Sequence, residues 1–207
     1  MKKTKLSLVG LAVLLLGGTS MYAQSWRGGG PVTLDKKYAG YHCVNLLDST
    51  SVTVEPTGQG SFAVCRAVQV QTPVGALQQR VLKYDYDPLT AAAVFKRVTI
   101  YHSDGTYTPV DVSKTCDYAA PARAIYWGAR QIMLELGQLE PGDIIDYEID
   151  KKGFTYALLG DMPQEGDDSR FIPPMRGQFY DIVPFWSSDP TLRKVYRVSL
   201  PAEKKSS

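Results

Sequence analysis

The sequence predicts an all-β fold, an antiparallel β-sandwich of roughly nine to ten strands. Three observations carry that prediction. Strand-length runs alternate apolar and polar residues, Pro-Gly and Asp-Gly corners separate them at near-regular intervals, and no helical apolar period is sustained beyond residue 23. The stretch from Leu134 to Ile149 shows the pattern in its clearest form. Ile132, Leu134 and Leu136 alternate with Met133 and Glu135; Glu140-Pro141-Gly142-Asp143 follows; then Ile145, Tyr147 and Ile149 alternate with Asp146 and Glu148. Proline fixes φ and glycine tolerates positive φ, so this corner is turn chemistry and an antiparallel pair is expected around it.

Residues 1–23 stand apart from the rest. Lys2, Lys3 and Lys5 make a positive start, Leu6 to Leu16 an apolar core broken only by Ser7 and Gly10, and Met21-Tyr22-Ala23 a small-residue end. That is the order of a secretory signal peptide, cleaved after Ala23. Its apolar core of about a dozen residues falls short of the ~20 needed to span a bilayer. No cysteine stands at the cleavage point, the first being Cys43, which disfavours a lipid anchor. The chain is therefore expected to be exported, to a periplasm of Gram-negative type or to the medium, with no membrane insertion after cleavage.

The mature chain then reads in order. Residues 24–40 are expected to be a flexible N-terminus, 41–201 the sandwich domain, and 202–207 a polar tail or the start of a linker. Val44, Leu46 and Leu47 open an apolar stretch, Ser51 to Glu55 reads as a strand, and Pro56 to Gly60 as its turn. From Ser61 to Gln71, Phe62, Val64, Val68 and Val70 share one face with Arg66 among them. An arginine there calls for an edge position, a snorkelling stem or a carboxylate partner, with a ligand contact as the remaining alternative. Gly75 to Arg80 is too short for a confident helix, and Val81 to Tyr86 is the next strand. In Val94 to Tyr101, Val94, Val98 and Ile100 form an inward row with Phe95 and Tyr101 opposite, and Ser103-Asp104-Gly105 closes a hairpin onto Tyr107 to Val112. Asp117 to Ala129 is open between a loop and a short helical turn, with Pro121 against a long helix. Strand character returns at Phe154 to Leu158, irregularly at Phe171 to Pro174 and Gln178 to Trp186, and finally at Leu192 to Leu200. Neither an internal repeat nor a second domain is visible.

Charge excludes two partner classes. The whole chain carries 23 basic and 21 acidic residues, and removing the three signal lysines leaves 20 against 21, a net charge of −1. No basic stripe supports binding to nucleic acid or to an anionic membrane. Three cysteines, Cys43, Cys65 and Cys116, would meet an oxidising compartment, where one disulfide with an odd thiol and no disulfide both remain open.

Several features recur in a fixed order: Asp48-Ser49, Tyr84-Asp85-Tyr86-Asp87, Ser103-Asp104-Gly105, Tyr126-Trp127, Leu139 to Tyr147, Gln178-Phe179-Tyr180-Asp181, and Leu200-Pro201. In these the chain resembles the bacterial envelope domain of unknown function that commonly precedes a transglutaminase-like domain. The resemblance runs from Tyr41 to Pro201. It implies an immunoglobulin-like sandwich acting as a non-catalytic accessory, with the Cys-His-Asp chemistry in a partner domain absent from this chain. No catalytic residue transfers, because the matching positions are turns and core.

Reactive constellations are otherwise missing. Cys65, His102 and Asp104 fall in the order of a transglutaminase-like triad, but His102 to Gly105 reads better as a strand ending in a turn. The two histidines lie sixty residues apart with no ligand spacing, and no Cys-x-x-Cys occurs. Asp161, Glu165, Asp167 and Asp168 form an acidic loop without the alternating spacing of a calcium site. Glu135, Asp143, Asp146 and Glu148 read as outward charge around one hairpin, not as a glycosidase pair. Neither a cofactor nor a metal is expected. What remains is a docking module for a transglutaminase-like domain or another envelope protein, or a glycan- or peptide-binding module on exposed Tyr126, Trp127 and Trp186.

Overall fold

The computed structural model describes residue 32 and residues 34–120, 128–154 and 179–202. Among these lie nine strands: β1 (Cys43–Val54), β2 (Gly60–Val70), β3 (Val81–Tyr86), β4 (Ala91–Tyr101), β5 (Tyr107–Pro109), β6 (Cys116–Ala119), β7 (Arg130–Glu135), β8 (Ile144–Gly153) and β9 (Lys194–Ser199). One short helix, α1 (Pro73–Gln79), joins β2 to β3. The strands form a six-stranded sheet in the order β5-β4-β8-β2-β1-β9 and a three-stranded sheet in the order β3-β7-β6.

The fold is mostly β in two sheets, but the large sheet is mixed: β9 runs parallel to β1. A second correction concerns the Pro-Gly corner. β7 pairs with β3 and β6, whereas β8 lies between β2 and β4. The two do not form a hairpin. Alternation records that a strand has a buried face, not which strand lies beside it, and β8 already has a neighbour on each edge. Residues 136–143 instead carry the chain from one sheet to the other, with Gly137 and Gly142 at positive φ and Leu136 and Leu139 buried.

Both layers meet in one core. Val52, Val54, Phe62, Val64, Val68, Val70, Phe95, Val98, Ile100, Ile145 and Ile149 from the large sheet pack with Leu82, Ile132 and Leu134 from the small one. Each fully buried Leu or Ile contributes about 1.5–3 kcal/mol, so this layer is the main cohesive term. In β4 the inward row differs from the expected one. Phe95 is buried and Val94 exposed, because a bulge between Phe95 and Arg97 shifts the register and restores Val98 and Ile100 to the core. A similar shift between Asn45 and Leu47 lets β1 run unbroken where two pieces were expected.

Other local differences have simple causes. The segment Pro73–Gln79 does form a helix, since Thr72 accepts the Gly75 N–H as N-cap and Pro73 suits the first turn. Cys116–Ala119 is a strand, recruited by β7. Val32, Leu34 and Tyr38, in the stretch expected to be flexible, pack on the opposite face of the large sheet against Val44, Leu46, Leu47, Ala67 and Ile144. Gln69 Nε2 donates to the Val32 carbonyl at 2.9 Å, and Gln71 Nε2 to those of Tyr38 and Tyr41 at 2.9 Å each. The signal segment 1–23, the acidic loop 160–169 and the strands expected at 155–158 and 171–174 lie outside the described residues.

Candidate functional site

The small sheet packs against β4, while the inner face of β1 and β9 has a different cover: residues 179–184. Phe179 packs on Phe62 with ring centroids 6.2 Å apart. Tyr196 on β9 donates its hydroxyl to Asp181 of this covering segment. Around it the surface turns apolar. Tyr180, Ile182, Phe185, Trp186, Leu192, Val198 and Leu200 are all exposed, Phe185 to 71% and Trp186 to 81%. Solvent-facing large apolar side chains concentrated in one part of a chain are a signature of an interaction surface. β9 is moreover the last strand of its sheet, with β1 as its only strand neighbour among the described residues, and such an edge can accept a further chain.

At the base of this apolar rim is a charged row. Register places Tyr147 opposite Arg66, Arg66 opposite Asp48, and Asp48 opposite Lys194, so the four side chains cross β8, β2, β1 and β9 in line. Lys194 Nζ donates to Asp48 Oδ2 at 2.8 Å. Arg66 Nε stands 3.5 Å from Asp48 Oδ1, and that nitrogen is buried with no hydrogen-bond partner. Burial opposes the Arg66 charge, but Tyr147 and Asp48 outweigh it and its pKa rises. Burial also raises the Tyr84 and Tyr196 phenols, the latter with help from Asp181, and lowers the Lys151 ammonium. Lys151 Nζ lies 4.7 Å from the centre of the Phe62 ring. These groups surround a cavity of about 160 Å3 bounded by Asp48, Arg66, Tyr84, Asp181, Lys194 and Tyr196, with Phe62, Val64, Ile182 and Pro184 as apolar walls.

Of the three aromatic candidates, Trp186 belongs to the rim; Tyr126 and Trp127 lie outside the described residues, as do Asp161, Glu165, Asp167 and Asp168. Cys43 and Cys65 are buried, Cys116 is exposed, and no disulfide joins any of the three. His102 uses Nδ1 on Asp143 Oδ1 at 3.1 Å and Nε2 on Thr108 Oγ1 at 3.0 Å, while Asp104 folds back on Thr106 within its turn. Cys65 sits on another strand, opposite Glu148. Glu135, Asp143, Asp146 and Glu148, expected as outward charge, do not all face solvent. Asp143 and Asp146 are each only 2% exposed, because His102, just past the end of β4, and Arg97, on β4, cover them, Arg97 at 2.9 Å from Asp146. Among the described residues no group of three or more His, Cys, Asp or Glu side chains could hold a metal ion, and no helix is long and apolar enough to cross a membrane. Sequence reading missed the row itself. Arg66 on an apolar face was the signal, but its partner could be chosen only with the register known.

A family model described as a domain of unknown function with a solved structure, DUF3857, matches residues 56–206. No curated protein matches the chain. Among solved structures, a candidate protease from Parabacteroides distasonis is 15% identical with a TM-score of 0.46, over 54% of this chain and 23% of its own. The CBM3a-L domain of scaffoldin cipA from the Clostridium thermocellum cellulosome is 14% identical with a TM-score of 0.30, over 54% and 65%. An M1 zinc metallopeptidase from Deinococcus radiodurans is 16% identical with a TM-score of 0.36, over 86% and 36%. The chain thus spans less than two thirds of each of these proteins, and likenesses this loose carry no argument about its role.

Proposed function

The chain belongs to the DUF3857 family, and from that premise we propose that it is an exported, non-catalytic β-domain that docks a transglutaminase-like Cys-His-Asp partner. The exposed rim of Phe185 and Trp186 beside the edge strand β9 is the observation that carries this reading. Burying such side chains against a partner is favourable, and Trp is enriched among interface residues that dominate affinity. The immunoglobulin-like form implied by the resemblance belongs to the same proposal, as does placement in a bacterial envelope, which the signal-like residues 1–23 support.

The test is a titration of this chain with a transglutaminase-like domain. Trp186→Ala and Phe185→Ala should each weaken binding by about 2 kcal/mol while changing stability by less than about 0.5 kcal/mol. Unchanged affinity in both variants would remove the rim from the interface. The exposure of Trp186 favours one second reading, a platform for a glycan or peptide. Its tryptophan fluorescence should then shift against a glycan panel, and a flat response would count against it.

A further inference from the structure

We propose that the cavity at the base of the rim is a binding socket for a carboxylate group, with Arg66 as its main recognition residue. This goes beyond the docking reading and holds whichever protein covers the rim.

Donor surplus is the first argument. A guanidinium offers five N–H donors, yet Asp48 already gives one oxygen to Lys194 at 2.8 Å and holds its other 3.5 Å from Arg66 Nε, which remains buried without a partner. Two cations therefore share one carboxylate in the row. The second carboxylate of the cavity, Asp181, is occupied by the Tyr196 hydroxyl. The Arg66 side chain, which also engages Tyr147, is still 40% exposed and lines the cavity.

Charge selects the ligand. Among the described residues, the lining balances Arg66 and Lys194 against Asp48 and Asp181, and Lys151, outside the lining but close enough to feel Asp181, adds one positive charge. That balance suits a monoanion. A phosphate dianion would overcompensate it and meet two carboxylates. Size narrows the choice further: about 160 Å3 is well below the ~300–1,000 Å3 of a whole small-molecule site, so the socket takes one functional group of something larger. Phe62, Val64, Ile182 and Pro184 line the cavity with apolar surface suited to the carbon stem behind a carboxylate. The planar guanidinium matches a carboxylate better than an ammonium does.

Carboxylate could come from a glutamate side chain or from a peptide C-terminus, and small probes separate the two. The isotope-labelled chain is titrated with N-acetylglutamate α-methylamide, with N-acetylalanine, with neutral N-acetylglutamine methylamide and with inorganic phosphate, following the backbone amides of Asp48, Arg66 and Lys194. At least one carboxylate probe should shift these signals saturably, and the one that binds more tightly identifies the source. The neutral amide should leave them unmoved and phosphate should bind more weakly. Arg66→Lys, which keeps the charge and loses the fork, should weaken carboxylate binding about tenfold. Should that variant not fold, Lys194→Gln, which lets Asp48 compensate Arg66 fully, should weaken it as well. Trp186→Ala should not change it, so failure here is separable from failure of the docking reading. The proposal is overturned if neither carboxylate saturates, if the neutral amide binds equally well, or if the substitutions leave carboxylate affinity unchanged.

Discussion

Cys65 illustrates how strongly surroundings set chemistry at the scale of one residue. Its thiol is pushed up to about 11 by burial, with Glu148 and Asp146 adding to the effect against Arg97 and Lys96. A thiol in that state is almost wholly protonated at neutral pH and is a poor nucleophile. Burial raises Cys43 too, with Asp189 adding to it. Only Cys116 of the three is exposed. Brief iodoacetamide treatment of the folded protein, read by peptide mass spectrometry, should label Cys116 and reach Cys43 and Cys65 only after denaturation. Native labelling of Cys65 would contradict the burial that shields it. Some residue-scale facts were open to sequence reading. Arg66 on an apolar face called for an edge position, a snorkelling stem or a carboxylate partner, and Asp48 on the adjacent strand supplies the last of these. The burial of Asp143 and Asp146 was not legible, because it depends on His102 and Arg97, residues more than forty positions away.

Strand spans were the most readable level of elements, since period-two alternation marks them directly. The positions of β2, β3 and β7 follow from the residues alone. What alternation leaves out is parity after an irregularity and the identity of the neighbour. A single extra residue near Lys96 was enough to exchange Val94 and Phe95 between surface and core. The end of β8 is fixed by close backbone approach rather than by any side chain. Gly153 has φ of 143°, pairs with both Gly60 and Ala91, and a methyl group there would meet the Thr90 carbonyl at 2.1 Å and Ala91 Cα at 2.5 Å. Backbone atoms cannot swing aside as a flexible side chain can. Gly153→Ala should therefore destabilise the protein by about 3 kcal/mol or more, from strain and steric overlap together. Urea unfolding gives the measurement, and a loss below about 1 kcal/mol would mean that β4 and β8 separate more easily than their spacing indicates.

On the scale of the whole molecule, regular strand spacing and the absence of a helical period predicted two β layers, and two sheets share one core. Their unequal width and the crossover between β7 and β8 needed long-range information. So did the parallel pairing of β1 with β9, whose partners are 146 positions apart at Asp48 and Lys194. That pair has a mechanical consequence. Because the two strands run in the same direction, the start of β1 and the end of β9 lie at opposite ends of the sheet. Tension applied between those points pulls along the strands and loads all six residue pairs, Asp48 with Lys194 through Thr53 with Ser199, at the same moment. Forced extension measures an unfolding barrier rather than an equilibrium stability. Stretched from the start of β1 and the end of β9, the domain should resist as a shear clamp and yield in one abrupt event; gripped instead at Val54 and Ser199, which share an end, it should peel apart rung by rung under a much smaller load.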